Sequence, residues 1–116
     1  MEHKFVEKPW GSETWIVNNE KYCGKLLRFN KGSKCSWHYH KIKDEVMYLQ
    51  SGKLSVITGY NPDINHIDNN TFILLPGQSF HVPTGLIHRM EALEASELFE
   101  FSTQHFDEDS IRIAVN

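Results

Sequence analysis

The chain has 116 residues and a mass of 13.5 kDa, enough for one domain with its own core and too little for two. Its 12 Lys and Arg against 15 Asp and Glu give a net charge of −3 and a pI near 6.1, which argues against nucleic-acid binding as its main task. Apolar residues at 40% and aromatics at 12% exclude wholesale disorder, and no apolar run approaches the roughly 18 residues of a membrane span. Seven histidines are the unusual count.

In chain order, residues 1–13 read as an N-terminal arm without the apolar stretch of a secretion signal, so a cytoplasmic location is expected. Thr14 to Val17 is a short β-branched and aromatic run. Gly24 to Phe29, Cys35 to His40, Glu45 to Leu49 and Lys53 to Thr58 continue the strands, followed by Thr71 to Leu75, Ser79 to Val82, Ile87 to Glu91 and Glu97 to Ser102. Turn formers separate them: Asn18-Asn19, Lys31-Gly32, Ser51-Gly52, Pro76-Gly77 and Pro83-Thr84-Gly85. Tyr60 to Asn70 reads as the longest loop, and Phe106 to Ser110 has room for one helical turn. Many short strands at this spacing predict an all-β sandwich or barrel. Cys23 and Cys35, in no paired ligand spacing, read as small buried thiols in a reducing compartment.

Alternation places Ser36, His38 and His40 on one face of their strand and Cys35, Trp37 and Tyr39 on the other. Glu45 aligns with Met47 and Leu49, and His88 aligns with Met90. Polar groups on partly apolar faces need partners, and a metal ion is one. Two imidazoles at i and i+2 are close enough to share an ion. Glu45 follows after a short link, and His88 follows the Pro-Thr-Gly turn. Three imidazoles and a carboxylate suit Zn, Mn, Fe, Ni or Co rather than an all-thiolate site.

With their glycines and proline, these residues resemble the cupin superfamily. The first cupin motif, G-x5-HxH-x4-E-x6-G, is met by Gly32, His38, His40, Glu45 and Gly52, within 32–52. The second, G-x5-PxG-x2-H-x3-N, is met by Gly77, Pro83, Gly85 and His88, with Ala92 in place of the final Asn, within 77–92. The resemblance implies a double-stranded β-helix, or jelly-roll barrel, over residues 1–116, with one divalent ion held by His38, His40, Glu45 and His88. The opening Glu7-Lys8-Pro9-Trp10-Gly11 with Glu13 looks like the start of the cupin domain in type II mannose-6-phosphate isomerases and their fused guanylyltransferases, and the closing Glu97 to Thr103 with Asp107-Glu108-Asp109 is similar to stand-alone mannose-6-phosphate-isomerase-like cupins.

Further positions carry two readings each. Lys43 is an ordinary solvated turn lysine or a cation that meets a substrate phosphate or carboxylate. Arg89 is a similar candidate, although alternation points it away from His88. His81, beside the Pro-Thr-Gly turn, is a candidate acid or base, and Tyr48 and Glu100 are candidate substrate-binding groups. His3, His66 and His105 are expected at the surface, and Trp10 is expected to anchor the arm.

The leading functional expectation is a metal-dependent isomerase of a sugar or sugar phosphate. The alternatives are an Fe(II)-type dioxygenase or metal-dependent lyase, and a non-enzymatic module that binds a sugar or another small ligand. Exposed sheet edges lead us to expect a homodimer.

Overall fold

Alternating buried and exposed side chains organise the chain in a computed structural model, which describes residues 1–114. Nine strands run through the described residues: β1 (Lys4–Lys8), β2 (Gly11–Asn18), β3 (Cys23–Phe29), β4 (Trp37–His40), β5 (Glu45–Gly59), β6 (Asn70–Leu74), β7 (Ser79–Val82), β8 (Ile87–Ser102) and β9 (Ser110–Ala114). A single 3-10 turn, Asp107–Asp109, precedes β9. The fold is all-β, and every strand pairing is antiparallel.

Two long strands form the spine. The Ser51-Gly52 turn expected from sequence does not end a strand, because β5 passes through it with shifts of register against β8 between Leu49 and Leu54. Gly52 makes this irregularity with φ +94°, a conformation that side chains with a Cβ rarely adopt. Likewise, the two strands expected over residues 87–102 are one bent strand, β8. The first half of β5 pairs β7 and the end of β8, and its second half pairs β6 and the start of β8. The bend therefore lets one pair of strands serve both halves of a curled sheet.

The remaining strands follow the order β1-β2-β3-β8-β4-β9. The N-terminal arm is not a loose extension: β1 forms a hairpin with β2, with Lys8 opposite Gly11. Trp10, at its turn, stacks on Phe29 with ring centroids 4.3 Å apart, and so anchors the hairpin to the core as expected. The C-terminal strand β9, also unexpected, pairs β4 and places Arg112 opposite His38.

The core lies on the concave face, where Leu27, Phe29, Met47, Leu49, Leu54, Val56, Met90 and Leu98 are buried. Cys23 and Cys35 are free and buried, as expected. The 60–70 loop is held by its own Asn and Asp groups, with Asn69 Nδ2 donating to Asp63 O at 2.9 Å, and Trp37 Nε1 pins it by donating to Pro62 O at 2.9 Å. No helix among the described residues is long and apolar enough to cross a membrane.

Candidate metal centre

Strand register brings the two motifs together. His38 on β4 faces His88 on β8 as its antiparallel partner, and their ring centroids are 4.3 Å apart. His40 points to the same place from β4, and one ring nitrogen each of His38, His40 and His88 falls within a mutual 4.8 Å. Three imidazoles at this spacing are able to hold a metal ion. Glu45, at the start of β5, closes one side, with Oε2 3.3 Å from His40 Nε2 and 3.5 Å from His88 Nε2.

Backbone contacts set the imidazoles for this work. His38 Nδ1 donates to Ser36 O at 2.8 Å, and His88 Nδ1 donates to Leu86 O at 3.1 Å, so each ring keeps its Nε2 lone pair free. Burial, reinforced by the neighbouring His88, pushes the His38 pKa down to about 3. Burial pushes His88 down to about 4. Both rings are therefore neutral near pH 7, the form that ligates.

Glu45 provides the sharper test of whether a metal fits. It is 1% exposed, and neither carboxylate oxygen receives a hydrogen bond, although Lys43 Nζ stands 3.6 Å from Oε1. A buried carboxylate without hydrogen bonds is costly. A divalent ion between Glu45 and the three imidazoles would compensate it, so the donor set fits such an ion.

The site lines a cavity of about 430 Å³, within the usual range for small-molecule sites. Lys43 is not the solvated turn residue of the ordinary reading. It is 3% exposed, and its Nζ donates to Glu100 Oε2 at 2.9 Å and to His105 Nδ1 at 3.0 Å. Burial lowers the Lys43 pKa, but Glu100 and Glu45 outweigh it and raise the pKa above the usual lysine value. Glu100, also buried, receives a second hydrogen bond from Ser102 Oγ at 2.9 Å. Lys43 and Glu100 thus both reach the cavity.

Three other expected site residues do not. His81 faces outward on β7, where Phe80 and Val82 take the inward positions, and its side chain is 57% exposed and paired with Asp44 at 2.8 Å. Tyr48 alternates with the buried Met47 and Leu49, which turns it to the outer face of β5. Arg89 lies between the buried His88 and Met90 and points away from the cavity, as alternation had indicated.

The structure also adds residues that the motifs did not mark. His105, expected at the surface, lies against the cavity: its Nε2 donates to Asp107 Oδ1 at 3.0 Å, and its ring meets Trp15 edge-on at 5.0 Å. Lys25 is 1% exposed, lies 3.5 Å from Glu13 and sits 4.1 Å above the Trp15 ring. Lys25, between Leu27 and Cys23 in an inward alternation, was legible from β3 alone once its buried face is known. Six cations line the cavity (Lys4, Lys8, Lys25, Lys34, Lys43 and Arg112) against the carboxylates of Glu13, Glu45, Glu100 and Asp107. The cavity is thus electropositive within a chain of net charge −3.

The family model described as Cupin matches residues 6–115. A mannose-1-phosphate guanylyltransferase of Sinorhizobium fredii is 28% identical over 116 residues, covering 97% of this chain but 21% of that protein, so the chain spans about a fifth of the curated relative it matches. Among solved structures, KdgF from Halomonas sp. superposes with a TM-score of 0.76 at 19% identity, covering 91% of this chain and 90% of that one. CapF, a capsular polysaccharide assembling protein of Staphylococcus aureus, gives 0.82 at 16% identity, over 99% of this chain and 32% of that one. Oxalate decarboxylase of Bacillus subtilis gives 0.79 at 19% identity, over 96% and 30%. At these identities the structural likeness is one of fold.

Proposed function

The chain belongs to the cupin family, and from that premise we propose that residues 1–116 form one cupin domain acting as a metal-dependent isomerase of a small anionic sugar, such as a sugar phosphate. The observation that carries this reading is the convergence of His38, His40, His88 and the hydrogen-bond-free Glu45 at the wall of a cavity with a surplus of cations. The match to a mannose-1-phosphate guanylyltransferase supports the substrate class.

A divalent ion held by these four residues would supply Lewis-acid polarisation of a carbonyl and its neighbouring hydroxyl. The protein's own groups do the rest. Arg112 and Lys34, in no ion pair among the described residues, are placed to receive the anionic end of the ligand. The Lys43 ammonium, held by Glu100, offers a hydrogen bond to oxygen where charge develops. His105 has both ring nitrogens engaged, by Lys43 and by Asp107. Proton transfer between the two carbons therefore falls to a cavity carboxylate, while Glu100, whose Oε2 accepts from both Lys43 and Ser102, holds the Lys43 ammonium in place.

The test is aldose–ketose interconversion by protein loaded in turn with Zn, Mn, Fe, Ni and Co, over a panel of sugar phosphates and the corresponding neutral sugars. Turnover of phosphates in preference to neutral sugars supports the proposal. Binding without turnover would favour the ligand-binding module, and oxygen uptake with iron would favour the dioxygenase. We further propose a cytoplasmic homodimer, with exposed apolar side chains such as Phe5, Tyr22 and Phe101 supporting self-association. A monomer by light scattering would refute the dimer.

A further inference from the structure

Asp109 lies outside both sequence motifs, at the end of the 3-10 turn, and is 4% exposed. Its Oδ1 accepts hydrogen bonds from the backbone N–H of Lys41 at 2.8 Å and of Ile42 at 2.9 Å. Its Oδ2 accepts from Lys43 N–H at 3.0 Å and stands 4.0 Å from His40 Nδ1. Three consecutive amides of the loop between His40 and Glu45 therefore converge on one carboxylate.

The same loop is gripped from its other side by the turn that precedes His88. Thr84 Oγ1 donates to Ile42 O at 3.2 Å and to Lys43 O at 3.3 Å, and Gly85 N–H donates to His40 O at 2.8 Å. His40, Glu45 and His88 thus depend on a single short loop for their relative positions. The amides of residues 41–43 turn toward Asp109, the carbonyls of Ile42 and Lys43 turn toward Thr84, and Asp44 pairs with Thr103 instead.

We propose that Asp109 is a positioning residue of the metal centre: by fixing the 41–43 amides it sets the separation of His40 and Glu45, and so the affinity of the site. The inference rests on the metal reading given above. Hydrogen bonds to a carboxylate are stronger than neutral ones and impose tighter geometry, which suits this task. Partners of metal ligands commonly change affinity by about 10–100-fold when altered. Asp109→Asn is the informative change. Its amide oxygen can still accept from two amides, but its NH2 cannot accept from Lys43 N–H.

Metal-free wild type, Asp109→Asn and the control Glu108→Gln would be titrated with Co(II), reading the dissociation constant and the visible absorption of the bound ion, with thermal unfolding followed in parallel. The expected result is Co(II) binding weakened about 10–100-fold in Asp109→Asn, with displaced absorption bands, and wild-type behaviour in Glu108→Gln. Wild-type affinity and spectrum in a merely less stable Asp109→Asn would overturn the proposal. If that variant fails to fold, hydrogen exchange of the wild type decides: Zn(II) should slow exchange of the 41–43 amides, and unchanged exchange would refute the coupling. Absence of Co(II) binding by the wild type would overturn the metal reading and this inference together, whereas equal binding by wild type and variant overturns this inference alone.

Discussion

His38 and His88, fifty positions apart, are register partners across β4 and β8, with rings 4.3 Å apart and each Nδ1 tied to the carbonyl two residues before it. Each strand holds its own imidazole in the ligating tautomer, and the pairing of the strands makes the site. Replacing either His38 or His88 by Ala removes one of three converging nitrogens. We expect Zn(II) affinity, measured by chelator competition, to fall at least about 100-fold. The wild-type unfolding temperature should rise on metal loading, and that rise should vanish in both variants. An undiminished rise in either one would place the ion elsewhere.

Glu45→Gln separates folding from metal binding. In the metal-free protein Glu45 is a buried charge without a hydrogen bond, while Lys43 keeps Glu100 as a partner after the change. Neutralising Glu45 should stabilise metal-free protein by about 1–2 kcal/mol, seen as a higher midpoint in urea. The same variant should bind metal more weakly. A lower midpoint without metal would show that Glu45 is already compensated by its neighbours.

Glu100 makes stability depend on pH in acid. Burial alone would raise its pKa, but Lys43 and Lys25, with hydrogen bonds from Lys43 and Ser102, outweigh burial and hold it down to about 2. Unfolded, it titrates at about 4.3, so between these values the unfolded state binds more protons. Its stabilisation is present above the unfolded-state value and is lost as pH falls from there toward 2. Denaturant titrations at a series of pH values should show this slope in the wild type and a flatter one in Glu100→Gln. Equal slopes would remove Glu100 from the account.

Gly32 and Gly52 hold equivalent ends of the first motif, yet they should respond differently to Ala. Both have positive φ, +82° and +94°. A Cβ on Gly32 meets nothing within 4 Å, so the cost is backbone strain of about 1 kcal/mol. A Cβ on Gly52 would lie 2.6 Å from Ser96 Cα and against the backbone of β8, so several kcal/mol and a displaced β5–β8 bend are expected. Thermal unfolding of the two variants checks the order, and a milder effect at Gly52 would refute this account of the bend.

Local pattern made much of this protein legible. Alternation and turn residues revealed seven of the strands in whole or in part, and motif spacing marked His38, His40, Glu45 and His88, because those groups lie at strand ends that flank short turns. Two strands were missed, β1 and β9, because both are short, charged in part and defined by their partners, β2 and β4. His81 was misplaced for a related reason: alternation separates the two faces of a strand but does not say which one turns inward. The pairing of Val46 with His81 and of Met47 with Phe80 decides that, and it sends Phe80 inward.

By itself, then, the sequence determined the fold class and marked His38, His40, Glu45 and His88 as one candidate metal-binding cluster, since both are written in spacings of a few residues. Only the tertiary structure could bring Lys25, His105 and Asp109 to that centre. Their places depend on strand pairings and carboxylate–amide contacts between segments more than sixty residues apart, and no local period encodes those.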